Sequence, residues 1–116
     1  MPETVVPIPA ATVDPLVDLA RARLQACPPV AQADLLACLI NLRYARVEGD
    51  EKIAAIEAVD RHHARAITIA SKGLDRREDR ALSLMIMAIT GMRDNTPESN
   101  AQAEHTLRQI RIPAAS

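Results

Sequence analysis

Aromatic side chains are almost missing from this chain of 116 residues: Tyr44 stands alone, with no Phe and no Trp. Stacking of unpaired bases, the usual route to single-stranded nucleic acid, is therefore poorly served. The 48% hydrophobic content must instead be Leu, Ile, Val, Met and many alanines, which favour helices and let them approach closely. Glycine occurs only at positions 49, 73 and 91, too sparsely for a phosphate-cradling loop. Two cysteines, Cys27 and Cys38, are too few for a disulfide framework and lack metal-ligand spacing. They read as reduced thiols, with Cys38 a small core residue inside an apolar run. No run approaches the roughly 20 apolar residues of a membrane span. Met1-Pro2-Glu3-Thr4 also lacks the basic start of a secretory leader, so the cytoplasm is the expected compartment, with no membrane partner.

What is present reads as an all-α protein, a single compact bundle of about five helices with short loops. Residues 1–13 hold Pro2, Pro7 and Pro9 among apolar residues and form an extended or disordered arm; 14–112 form the helical domain, and 113–116 a tail. Asp14-Pro15 is a cap followed by a proline at the first helical position, and the first helix should stop before Pro28-Pro29. A second helix is expected over 30–48, with Leu35, Leu36, Leu39, Ile40, Leu42 and Val47 making a wide apolar surface and Gly49 stopping it. Asp50 caps a third, over 51–72, and Gly73 with Leu74 closes it. Asp75-Arg76-Arg77-Glu78 has the form of a capping box and opens a fourth helix.

The second half of that fourth helix, residues 81–89, is apolar nearly all round. Such an element is either central in the bundle or shared with another chain. Leu84, Met85, Ile86, Met87 and Met92 are accordingly candidates for a partner or dimer interface, since methionine repacks readily against different surfaces. Residues 91–95 read as a turn. Thr96-Pro97-Glu98 then opens a fifth helix that uses Ala103, Leu107 and Ile110 before ending near Pro113. No repeat of 20–50 residues is visible, which argues against a solenoid.

Charge is balanced at −1 overall, yet residues 1–60 sum to −4 and 61–116 to +3. Arg61, Arg65 and Lys72 share a narrow arc of the third helix, and Arg76, Arg77 and Arg80 follow across Gly73. This basic ridge is the candidate contact for anions or nucleic acid through phosphates. Asp75, Glu78 and Asp79 dilute it, and Glu57 with Arg61 is spaced as an ordinary solvated pair. No helix-turn-helix, zinc-finger or basic-zipper pattern accompanies it.

His62-His63 beside Asp60 is the remaining cluster. Adjacent helical residues point about 100° apart, so only Asp60 and His63 share a face, and no second such pair completes a metal site. His63 falls in line with Ile56, Ile67, Ala70 and Leu74 and reads as a core histidine satisfied by a carboxylate or carbonyl; His62 should be exposed. No metal, cofactor or catalytic residue is expected, since neither a nucleophile elbow nor a Cys–His pair is present. The sequence thus favours a non-catalytic helical interaction protein, a small regulatory or adaptor subunit that docks another protein and pairs with itself as a homodimer. The alternative is a nucleic-acid-associated protein binding phosphates through the ridge on the third and fourth helices.

Overall fold

Three helices begin where a side chain replaces a missing backbone partner. Asp14 Oδ1 accepts from the amides of Leu16 and Val17 at 3.2 and 3.3 Å and starts α1, Pro15–Ala22. Asp75 Oδ1 accepts from the Glu78 amide at 2.9 Å and starts α4, Arg76–Asp94. Thr96 and Ser99 exchange side-chain and backbone hydrogen bonds as a full capping box before α5, Pro97–Arg108. Between them lie α2, Pro29–Ala45, and α3, Lys52–Ala70. The computed structural model describes residues 14–46, 52–72 and 75–111, and no strand occurs among them. The fold is the all-α bundle expected from the sequence. The arm, Val47, Gly49, Asp50, Gly73, Leu74 and the tail from residue 112 lie outside the described residues.

Several boundaries differ from the sequence reading: α2 ends at Ala45 rather than 48, α3 at Ala70 rather than 72 and α5 at Arg108 rather than near Pro113, and two further differences have a clear physical reason. The first helix leaves α geometry at Arg23 and tightens into a 3-10 turn, Leu24–Ala26, because Cys27 must be extended (φ −87°, ψ 156°) ahead of Pro28. Gly91 is not a turn residue but lies inside α4, which ends only at Asn95 in the left-handed conformation (φ 54°, ψ 43°). A Cβ on Gly91 would stand 2.8 Å from the Ser99 carbonyl oxygen and 3.2 Å from Ala103 Cβ. Glycine there lets α4 and α5 touch backbone to backbone.

Cross-chain contacts fix the directions. Cys38 Sγ donates to the Val59 carbonyl and His62 meets Asp34, so α2 and α3 are antiparallel. Asp60 meets Arg93, and His63 meets Ile86, which sets α4 antiparallel to α3. Helix α1 crosses both hairpins, packing on α2 and α5. Arg46 ties four of the elements at one end. Its Nε donates to Asp14 at 2.6 Å, and its Nη1 donates to the Met92 carbonyl at 2.6 Å and to Asn100 Oδ1 at 2.7 Å.

The core is aliphatic throughout, built around fully buried Leu35, Leu39, Leu42, Leu82, Met85, Ile89, Met92 and Leu107. Helix α4 is covered by α2, α3, α5 and the 3-10 turn. Leu84, Met85 and Met92 are therefore core residues, Ile86 is half-buried, and of the proposed interface set Met87 alone is exposed. The expectation of a shared α4 is corrected on that ground: the neighbouring helices already fill the surface it offered.

Candidate functional site

Among the described residues the exposed apolar side chains that form a row lie on α2, whereas Met87 on α4 and Ile67 on α3, the latter expected in the apolar stripe with His63, are exposed singly. Val30, Ala33, Ala37, Ile40 and Tyr44 recur at alternating spacings of three and four along its outer side, opposite the buried row that includes Ala31, Leu35, Cys38 and Leu42. Val30 is 64% exposed, Ile40 47% and Tyr44 57%; Ala33 is exposed and Ala37 half-buried. With 17 residues α2 is about 25 Å long, and this stripe runs nearly its whole length. The same 3–4 spacing defines the seam along which one helix packs on another. Ile53 at the start of α3 is also exposed, and a shallow cavity of about 390 Å³ opens between Asn41, Tyr44, Ala54 and Ala55. Arg43, paired with Asp18 of α1, borders the opposite edge.

The structure places the exposed residues of the basic ridge in two settings. Arg61, Lys72 and Arg76 are exposed, while Arg65 approaches Asp34 at 3.7 Å. Arg77 and Arg80 instead line a cleft of about 690 Å³ with Arg108 and Arg111 from the end of α5. Ala26 of the 3-10 turn, Ala81 and Ile110 supply its apolar lining, and Gln109 an amide. Among the described residues no carboxylate lines this cleft. Arg108 is paired with Glu104 at 3.1 Å, whereas Arg77, Arg80 and Arg111 have no ion-pair partner among the described residues. The α4 amides are not open to a ligand in the same way, because the Asp75 carboxylate already occupies the helix start.

Comparison of this chain with models of protein families, with curated proteins and with solved structures finds no match. Function must be argued from these surfaces alone.

The histidine cluster resolves into separate structural contacts. Asp60 is engaged by Arg93 through two hydrogen bonds of 2.6 and 2.9 Å, and that guanidinium holds its carboxyl below the usual carboxylate range. His63 Nε2 lies 3.1 Å from the Ile86 carbonyl and must carry the proton, since a carbonyl only accepts. His62 is not exposed as expected: it is half-buried, with Nδ1 2.8 Å from Asp34, because α2 and α3 pack closely enough to bring the two together. No group of three metal-binding side chains occurs among the described residues.

Both cysteines are free and buried. Burial pushes the Cys27 thiol up to about 11; burial, reinforced by the negative charges of Asp34 and Asp60, pushes Cys38 up to about 12. The thiolate is the reactive form, so both should be inert near neutral pH. Folded protein at about pH 8, just below the ordinary thiol pKa, is expected to leave both unmodified by a disulfide reagent, with two thiols appearing on denaturation. Rapid labelling of the folded chain would contradict this placement.

Proposed function

We propose that this is a cytoplasmic, non-catalytic helical interaction protein that works as a homodimer through the outer face of α2. The observation that carries the reading is the exposed stripe Val30, Ala33, Ala37, Ile40 and Tyr44 at helix-pairing spacing. Its order of sizes favours a second copy as the occupant. With two α2 helices antiparallel about a two-fold axis at Ala37, Val30 faces the partner's Tyr44, Ala33 faces the partner's Ile40, and the central alanines meet. Small residues then lie opposite large ones, or at the axis where helices approach most closely, as a self-complementary interface requires. The chain's only aromatic ring stands on this face rather than in the core, and aromatic side chains are the common anchors of interfaces. Among the described residues no helix is long and apolar enough to cross a membrane.

Light scattering of the full chain across micromolar concentrations tests the reading. A mass twice the 12.6 kDa of one chain is expected, at low and at high salt alike, because the contact is apolar. Ile40→Glu with Tyr44→Glu should give a monomer of unchanged helicity, since both side chains are exposed. Met87→Glu, on a different helix, should leave the dimer intact. A wild-type monomer throughout refutes the homodimer.

A further inference from the structure

We infer that the cleft between α4 and α5 binds a small phosphorylated ligand of nucleotide class. Its guanidinium groups come from two helices that meet only in the folded chain: Arg77 and Arg80 on α4, Arg108 and Arg111 at the end of α5. Three of the four lack an ion-pair partner among the described residues, although the Asp75 carboxylate acts on Arg77 from the start of α4. Arginine stays charged at any ordinary pH and presents a planar fork that matches the oxygens of a phosphate. Three forks without an ion pair among the described residues suit a ligand of two or more negative charges better than a lone carboxylate.

The apolar lining narrows the class further. Half-buried Ala26, over a floor of buried Ala81 and Ile110, offers a small apolar surface beside the phosphates, and the Gln109 amide can both donate to and accept from the polar edge of a flat body resting there. A volume of about 690 Å³ is within the usual range for small-molecule sites. The phosphates of a nucleic-acid backbone would instead call on an extended line of cations, whereas of the ridge residues Arg77 and Arg80 line this cleft and Arg65 lies 3.7 Å from Asp34. Asp75 already fills the start of α4, and no glycine loop adds amides, so binding rests on side chains and should be strongly salt-sensitive.

Titration calorimetry with ATP, inorganic tripolyphosphate and adenosine on the full chain tests this. ATP should bind at about 0.05 M salt and weaken markedly at about 0.5 M, as the screening length falls from about 15 to about 4 Å. Tripolyphosphate should bind more weakly than ATP, and adenosine not measurably. Arg80→Ala with Arg111→Ala should weaken ATP by about tenfold or more, the scale of a lost charge-assisted hydrogen bond. Both residues are exposed, so folding should be retained, and circular dichroism verifies it. Arg61→Ala with Arg65→Ala should leave ATP binding unchanged. Absence of ATP binding overturns the site, and tripolyphosphate binding as tightly as ATP overturns the nucleotide class. A short DNA duplex whose binding depends equally on Arg61 and Arg65 overturns it in favour of the ridge. The dimer is read out separately, by mass, so either reading can fail without the other.

Discussion

Arg46→Met is expected to lower the unfolding free energy by about 2–4 kcal/mol, somewhat less than the about 3–5 kcal/mol of breaking a fully buried ion pair. The Arg46 and Asp14 side chains are 12% and 14% exposed, so the pair is largely but not wholly removed from water. Methionine keeps much of the stem volume and removes every donor. Asp14 then loses the cation facing Oδ2, although Oδ1 still caps α1; the Met92 carbonyl near the end of α4 and Asn100 Oδ1 lose partners as well. Arg46→Lys should fall in between, because one ammonium cannot reproduce a fork that reaches three acceptors. Urea unfolding at neutral pH gives the free energy, and the melting temperature should drop by about 10–20 °C. A loss below about 0.5 kcal/mol would place this contact among ordinary surface pairs.

Gly91→Val should be comparably damaging for the opposite reason, too much volume. Alanine at position 91 would gain up to about 1 kcal/mol of helix propensity, but its Cβ must displace the Ser99 carbonyl oxygen, which sits in the capped first turn of α5 and cannot swing aside. Valine adds two methyl groups to that clash and forces α4 from α5, a cost of about 3 kcal/mol. Gly91→Ala should therefore be destabilising on balance, and adding Ala103→Gly should recover only part of the loss, since it clears the 3.2 Å contact and not the 2.8 Å one. Urea unfolding of the single and double variants checks both statements. A stabilised Gly91→Ala would mean that the two helices separate at little cost.

Local signals in the sequence carried their information intact. Asp14, Asp75 and Thr96 cap as expected because a cap depends on residues two or three places away. Features that depend on distant neighbours were not legible. The apolar run in α4 was judged by its composition, yet what matters is that α2, α3, α5 and the 3-10 turn cover it. Helix α2 was read as one wide apolar surface, and nothing local said that Leu35 and Leu39 would turn inward while Ile40 and Tyr44 stayed out. Gly91 sits in a stretch that looks like a terminator, and its role is set by Ser99 and Ala103 on the next helix. Arg108 and Arg111 reach the cleft from nearly thirty residues beyond Arg80, with no periodicity linking them. Arg46, a lone cation at a helix end, resembles an ordinary complement to the helix dipole.

An aliphatic core with its one phenol outside also decides how this protein can be observed. Near-ultraviolet absorption and intrinsic emission come from Tyr44 alone, so they report on the outer face of α2 rather than on the leucines and methionines of the core. The same ring stands at one end of the exposed stripe on α2, where exchange of water for a protein neighbour changes its surroundings directly. The chain thus carries a built-in optical label for docking on the outer face of α2.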